Sequence, residues 1–379
     1  MKNNTLGLYL HIPFCVRKCA YCDFLSFPAD EDVRRAYARA LVREIRTAAQ
    51  KRRDRQVDTI FIGGGTPTCL PADCLDTIMT AVTDAFDVLP GAEVTMEMNP
   101  GTDSEGLDRF IFRFINRLSL GLQSMKNEEL KDLGRIHSRE DFLKTFAHMR
   151  RLGVENINVD LMSALPGQSA ADWEETLRLT AELQPEHISA YSLIVEEGTP
   201  FFTRYENGSL DLPDEDTERA MYRTTASLLA EAGYQRYEIS NYAKPGFESR
   251  HNSRYWTGED YLGLGLGASS LCDDTRWRNT TSLETYLDTS MHPESLMRDA
   301  RVLTVRDRME EFMFLGLRLT KGVSLEEFAE RFGTSLRDIY GSLPDDMIAK
   351  GLMAEAEGRL FLTERGIDVS NRVMAEFLL

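Results

Sequence analysis

The sequence predicts an α/β fold: six strand–helix units with a parallel sheet in the first half, then an α+β region. Three observations carry this. Short apolar runs alternate six times with amphipathic segments as far as Ile194, and such alternation implies a parallel sheet with right-handed crossovers. The motifs rich in cysteine, glycine and carboxylates fall at or just beyond the C-terminal ends of those runs, where chemistry gathers in curved or barrel-like parallel sheets. After Pro200 the alternation stops. The expected organisation is a core over 1–200, an α+β extension over 201–300 and a small helical domain over 301–379.

In chain order, Leu6–Ile12 is predicted as a strand and Asp30–Arg53 as a helix with the stripe Val33, Tyr37, Leu41 and Ile45. Val57–Ile62 is a buried strand ending in glycines, Leu70–Phe86 a helix, and Glu93–Met98 a strand. Ser104–Ile115 reads as helix, Arg117–Leu122 as strand, and Asn127–Leu133 and Arg139–Leu152 as helices. Glu155–Leu161, Ala170–Leu183 and His187–Ile194 read as strand, helix and strand. Beyond Pro200 the expectation is a helix over Asp214–Glu231, a strand over Gln235–Ile239 and a glycine- and aromatic-rich stretch from Asn241 to Ala268. A helix over Arg301–Thr320 follows, then helices over Leu325–Phe332 and Leu336–Ile348. A hairpin of Leu352–Ala356 and Leu360–Thr363 turns at Glu357-Gly358. Helix, helix and hairpin in that order resemble a winged helix.

Composition bounds the function. At 379 residues the chain can bury a large core, and its formal net charge is −17. That charge argues against a general nucleic-acid or anionic-membrane binder. From Lys321 onward there are seven Lys/Arg against eleven Asp/Glu. DNA binding needs cations to displace phosphate counterions, so the winged-helix-like end reads as a packing or protein-contact domain. There is no signal-peptide pattern and no apolar run long enough to span a bilayer. The expected location is cytoplasmic, where reduced thiols persist.

Six cysteines are present. Cys69, Cys74 and Cys272 are isolated and read as small buried apolar residues. Cys15, Cys19 and Cys22 form C-x3-C-x2-C in one loop after the first strand. Three thiolates that close together suit an iron–sulfur cluster or zinc. No fourth Cys or His follows at ligand spacing, since Asp23 and Phe24 come next. A cluster with one iron left open fits that count. The alternatives are a three-cysteine zinc site completed by a distant ligand such as His11, or a disulfide with one free thiol.

Later strand ends carry polar motifs. Gly63-Gly64-Gly65-Thr66-Pro67 lacks side chains where a ligand would approach the backbone, or is simply a tight turn. Glu97 in Glu97-Met98-Asn99-Pro100-Gly101 can accept from a ribose or an ammonium, or be a solvated strand-end residue. Gln123 ends the fourth strand. Arg135 can pair in bidentate fashion with a ligand carboxylate, or with Glu128 or Asp132 on the preceding helix. Asp160 is placed at the end of the fifth strand and needs polar partners there.

These words in this order resemble the radical SAM superfamily (SAM being S-adenosylmethionine). Tyr9-Leu10-His11-Ile12-Pro13-Phe14-Cys15 and Tyr21-Cys22-Asp23-Phe24 are similar to the oxygen-independent coproporphyrinogen III oxidase family. His251-Asn252-Ser253-Arg254-Tyr255-Trp256 reads H-N-x-x-Y-W and resembles that family's HemW-type heme chaperone subfamily. The resemblance covers nearly the whole chain. It implies a partial (β/α)6 radical-SAM barrel, with Cys15, Cys19 and Cys22 holding a [4Fe–4S] cluster. It also implies SAM contacts from Tyr9, Tyr21, Gly64, Gly65, Thr66, Glu97, Gln123, Arg135 and Asp160. An exposed His251 would ligate heme, with Tyr255 and Trp256 offering flat apolar contact; without the motif it reads as a loop histidine bonded to backbone. The implied partners are heme, a heme-acceptor enzyme and, if SAM is cleaved to a 5′-deoxyadenosyl radical, an electron donor. The enzymatic alternative is oxidative decarboxylation of coproporphyrinogen III. Two departures matter: oxidases of the family carry a further cysteine where this chain has Phe24, and many HemW relatives carry a histidine after Gly-Ala where this chain has Ser269.

Overall fold

Side-chain alternation builds the sheet. The computed structural model describes residues 4–102 and 105–379. Strand β1 (Thr5–Ile12) sends Leu6, Leu8, Leu10 and Ile12 into one apolar core, while Tyr9 and His11 face the other way. The same period of two recurs along the sheet. Helix α1 (Glu31–Gln50) starts where the Asp30 side chain accepts from the Val33 N–H and buries Tyr37, Leu41 and Ile45. Then come β2 (Gln56–Gly64), α2 (Ala72–Ala85), β3 (Asp87–Met98), α3 (Glu105–Phe114) and β4 (Arg117–Gln123). The predicted start of the third helix at Ser104 lies outside the described residues. Next are α4 (Asn127–Asp132), α5 (Arg139–Arg151), β5 (Ile157–Ser163), α6 (Ala170–Glu182) and β6 (His187–Ser192). Helices α5 and α6 begin with reciprocal Ser–Asp capping boxes, Ser138/Asp141 and Ser169/Asp172.

The second half adds strands to both edges of this sheet. Helices α7 (Pro200–Glu206) and α8 (Glu215–Glu231) precede β7 (Gln235–Arg236) and β8 (Asn241–Ala243). Helix α9 (Arg250–Thr257) leads to β9 (Tyr261–Leu264), β10 (Ser269–Cys272) and β11 (Thr275–Asn279). Helices α10 (Leu283–Thr289) and α11 (Pro293–Leu296) precede β12 (Met297–Val302). The twelve strands lie in the order β12-β11-β10-β9-β1-β2-β3-β4-β5-β6-β8-β7. Strand β9 pairs parallel to β1, so the parallel run has seven strands rather than the expected six. The glycine-rich stretch that hides β9 in the sequence is what lets the backbones approach: a Cβ on Gly263 would meet the Ser269 carbonyl oxygen at 2.2 Å.

The last part forms a unit with its own core. Helix α12 (Val305–Gly316) is followed by β13 (Val323–Ser324), α13 (Leu325–Phe332), α14 (Leu336–Tyr340) and α15 (Leu343–Ala349). The hairpin β14 (Met353–Ala356) and β15 (Arg359–Leu362) precedes α16 (Glu364–Ile367) and α17 (Ser370–Ala375). Met313, Phe328, Leu336, Leu360 and Phe377 pack in this second core. Two predicted helices are corrected. Arg301 and Val302 belong to strand β12, and the Thr304/Asp307 capping box sets the later helix start. The helix expected over Leu336–Ile348 breaks at Gly341, and Pro344 opens the next one. The strand expected over Gln235–Ile239 stops at Arg236. The unit is tied to the sheet by the Thr320 N–H donating to the Tyr237 carbonyl (3.0 Å) and by Arg236 pairing with Glu364 (2.7 Å). Among the described residues no helix is long and apolar enough to cross a membrane.

Candidate functional site

The C-terminal ends of β1 to β4 converge on the cysteine loop. The Cys15 N–H donates to the Phe27 carbonyl (3.1 Å) and the Phe27 N–H to the Pro13 carbonyl (2.9 Å), closing the loop at its base. The Ala20 N–H donates to the Leu133 carbonyl (2.9 Å), and the Arg17 guanidinium donates to the Gly134 carbonyl (2.8 Å). These bonds fix the loop while Cys15, Cys19 and Cys22 remain half-buried, with no disulfide. Burial pushes the Cys22 thiol up; bound iron would deprotonate it outright. Val16 (65 % exposed) and Phe24 (64 % exposed) form an apolar rim around the loop.

The glycine segment locks against this loop. The Gly65 N–H donates to the Ile12 carbonyl (2.8 Å) and the Thr66 N–H to the Phe14 carbonyl (2.7 Å). A Cβ on Gly65 would lie 2.6 Å from the Phe14 oxygen, and Gly64 holds φ +116° with the His11 ring at 2.5 Å from its would-be Cβ. Only glycine fits at both places. Thr66 Oγ1 lies 3.5 Å from Cys15 Sγ and accepts from Asn99 Nδ2 (2.8 Å).

Arg135 turns inward, which overturns the surface ion-pair alternative; Asp132 pairs with Arg204 instead. Its Nη2 donates to Asn99 Oδ1 (2.6 Å) and the Gly121 carbonyl (2.7 Å), and Nη1 lies 3.7 Å from Cys19 Sγ. Arg135 Nε is buried without a hydrogen-bond partner. The same guanidinium lies against the Tyr21 hydroxyl beside the thiols, and its free Nε–H can donate to an anionic or carbonyl group. Asn99 therefore links the glycine segment to Arg135. It was legible in the sequence only as part of an Asn-Pro-Gly turn.

Glu97 accepts from the Gly64 N–H (3.0 Å), and burial first, then nearby Asp160, pushes its carboxyl up to about 7. Asp160 lies mid-strand on β5, not at its end, because β5 runs on to Ser163. It accepts from Ser119 Oγ (2.9 Å) and Asn158 Nδ2 (2.8 Å). The chain of bonds continues through His187, whose Nδ1 meets Asn158 Oδ1 and whose Nε2 meets Tyr237 Oη (2.9 Å). Gln123 is nearly buried with φ 75°. A non-glycine residue there stores on the order of 1–3 kcal/mol of strain, a feature that clusters at ligand clamps. Tyr21 packs with Leu133 and Leu165 beside the loop.

His11 does not join the thiols. Its Nδ1 accepts from Tyr9 Oη (3.0 Å) and its Nε2–H donates to the Leu25 carbonyl (3.0 Å), so the zinc alternative loses its named fourth ligand. Among the described residues no three His, Cys, Asp or Glu side chains converge on a single metal-ion point. A polynuclear cluster asks for one thiolate on each of three irons, and three soft sulfurs on one loop match that donor set.

His251, expected to be exposed, lies on α9 and is fully buried. Its ring bonds to Thr59 Oγ1 (3.0 Å) and Tyr255 Oη (2.9 Å) and packs on Phe61 with centroids 5.4 Å apart. Burial, then Arg254 and Arg117, holds it down to about 3. The Arg250 and His251 N–H groups at the start of α9 both donate to the Glu93 carboxylate at 2.9 Å. The Arg254 guanidinium bonds to Asp58, to Thr5 Oγ1 (3.2 Å) and to the Asp260 carbonyl (3.1 Å). The sequence signal for this seat was a carboxylate, Glu93, at the buried start of the third predicted strand.

The sequence pattern of the radical SAM superfamily matches residues 9–180, and that of the HemN C-terminal domain matches residues 303–369. A Bacillus subtilis protein named heme chaperone HemW is 38 % identical over 98 % of this chain and 98 % of its own. An Escherichia coli protein of that name is 36 % identical over 100 % of this chain and 99 % of its own. A Bos taurus mitochondrial radical S-adenosyl methionine domain-containing protein 1 is 34 % identical over 96 % of this chain and 84 % of its own. The solved E. coli coproporphyrinogen III oxidase HemN shares the fold, with a TM-score of 0.87 at 23 % identity over 99 % of this chain and 90 % of that one. With its three-thiol loop, glycine segment and inward-facing Arg135 joined at one end of the parallel sheet, this chain belongs to the radical SAM superfamily and, within the coproporphyrinogen III oxidase family, to the HemW group.

Proposed function

We propose that the chain is a cytoplasmic heme chaperone that binds a [4Fe–4S] cluster and SAM at the mouth of the sheet, carries heme and passes it to an acceptor protein. The observation that carries the reading is full-length similarity to proteins named heme chaperones, in a chain whose three loop thiols have Phe24 where oxidases place a further cysteine.

Cys15, Cys19 and Cys22 would hold the cluster, which when bound supplies an open iron site and an electron. The protein's own residues do the positioning. Gly64 and Gly65 let the half-buried segment pack against His11 and Phe14, which brings it beside the thiol loop where SAM would lie, and Thr66 and Asn99 hold it there. Arg135 offers its unpartnered Nε–H to a carboxylate. Glu97 and Asp160 offer carboxylate oxygens to the ammonium and the ribose hydroxyls, and Tyr9, Tyr21 and Gln123 wall the site. Burial and Asp160 push the Glu97 carboxyl up to about 7, so a cation settling beside it would favour its ionised form. His251 is the candidate heme ligand of the H-N-x-x-Y-W motif, and reaching an iron requires it to leave Thr59 and Tyr255.

The test is anaerobic cluster reconstitution followed by a split sample. Heme is added to one half and read by its absorption band. Coproporphyrinogen III, SAM and a reductant are added to the other. Stoichiometric heme binding without protoporphyrinogen is the expected result. Turnover without tight heme binding would reverse the assignment in favour of the oxidase.

A further inference from the structure

A groove of about 500 Å³ lies between α8 and the helices α15, α16 and α17 of the C-terminal unit, and it shares no lining residue with the cysteine-loop cleft. Its floor is apolar, formed by Met347, Leu352, Val369 and Val373. Its rim is basic. Five cations line it against two carboxylates, Asp368 and Glu376. This is a reversal of local charge, because the chain from Lys321 onward carries seven Lys/Arg against eleven Asp/Glu. Two of the cations are already matched: Arg219 pairs with Glu215 (2.5 Å) and Arg223 with Asp368 (2.5 Å). Lys350, just after α15, Arg365 on α16 and Arg372 on α17 are exposed and form no ion pair or side-chain hydrogen bond among the described residues.

We propose that this groove binds a flat apolar ligand bearing carboxylates, the chemistry of a heme with its two propionates. The proposal rests on the heme-carrier reading and deepens it by naming a docking seat that holds the cargo by its ring face and carboxylates, separate from His251, which does not line this groove. Three unpaired cations around one hollow, opposed on the rim only by Glu376, itself unpaired among the described residues, repel one another, and an anion entering the hollow relieves that repulsion. The volume falls within the ordinary range of small-molecule sites, roughly 300–1,000 Å³. The apolar floor matches a ring face, and the rim matches carboxylates at its edge. The lining holds no histidine or cysteine. Recognition is therefore directed at the carboxylates and the ring face, and iron-free porphyrin should bind about as well as heme. An acidic peptide satisfies the rim equally, but a compact hollow of this size fits a single molecule better than a docked helix.

The experiment uses the full chain and the variant K350E/R365E/R372E. Because these side chains are exposed and unpaired, the variant is expected to keep the wild-type Tm. A control variant reverses three exposed cations on the outer helices and the loop after α1: Arg46, Arg53 and Arg109. Heme binding is followed by absorption and protoporphyrin IX binding by fluorescence. A poly-glutamate peptide serves as the alternative ligand. The expected result is at least a tenfold loss of affinity for both tetrapyrroles in the groove variant and no loss in the control. If the wild type binds heme and the groove variant binds it equally well, the groove is overturned and the carrier reading stands. If the wild type binds no heme, the carrier reading falls and takes the groove with it. If poly-glutamate binds through these three residues while heme does not, the groove is a protein-docking face and the proposal is wrong.

Discussion

The cysteine loop and helix α9 were both marked by short motifs as ligand-bearing, and the structure treats them in opposite ways. At the loop, thiols stand half-buried without disulfides and Arg135 Nε has no partner. At α9, His251 is sealed between Thr59 and Tyr255, and the helix start is seated on Glu93. A site that waits for a ligand leaves polar groups unsatisfied and accepts strain. A motif that holds the fold together spends most of its polar groups on its neighbours; on α9 only Arg254 Nε and the Trp256 indole N–H are left buried without a partner. In its resting state the H-N-x-x-Y-W helix belongs to the second kind.

The largest expected effect separates the two regions outright. Cys19→Ala should abolish reconstituted cluster, measured as bound iron and sulfide, while leaving Tm nearly unchanged. Substitution at α9 should do the reverse. Arg254→Ala leaves the half-buried Asp58 with only Arg250 at 3.9 Å and empties a buried guanidinium's place, and should cost about 3 kcal/mol in denaturant unfolding, with cluster content per folded molecule unaltered. A normal cluster yield with unaltered stability in that variant would erase the distinction.

Next in size is Glu97. Its folded value of about 7 lies above the unfolded 4.5. For an acid raised on folding, the stabilising contribution is full below 4.5 and is lost as pH rises through 7. Glu97→Gln removes that loss. The variant should be more stable than wild type at pH 8, by on the order of 3 kcal/mol, and equal to it at about pH 4.5. Its SAM affinity should fall. A destabilised variant at pH 8 would place Glu97 with the structural residues.

His251 has the opposite sign. Its folded value of about 3 lies below the unfolded 6.5, so its contribution is full above 6.5 and is lost as pH falls toward 3. His251→Gln should cost about 1–3 kcal/mol at pH 8. Between pH 6 and 4 it should flatten the fall of unfolding free energy by about one proton. The smallest effect is at Gln123, where φ is 75°. Gln123→Gly should raise stability by about 1 kcal/mol and weaken SAM binding; a loss of stability would mean that no strain is held there.

Much of the first half was readable before folding. Strand β1 with its loop, the run from β2 into Gly64 and Gly65, and the positions of Glu97, Gln123 and Arg135 follow local patterns of period two and 3.6, glycine and cysteine spacing. The seventh parallel strand β9 was not readable, because four residues among glycines carry no period long enough to identify. Strand β12 was missed because its exposed, charged side chains leave no apolar alternation. The groove was invisible for a third reason: Arg223, Lys350 and Arg372 come together only when α8 meets α15 and α17.

By itself the sequence determined the donor set and its spacing, because three thiols within eight residues and glycines at a strand end act through local geometry that no distant contact needs to supply. Only the tertiary structure decided what each polar group would be spent on. Whether Arg135 faces solvent or sulfur, whether His251 is free or sealed, and whether scattered cations line one hollow depend on which elements are packed beside them. Burial, hydrogen-bond satisfaction and charge crowding arise only when those elements meet.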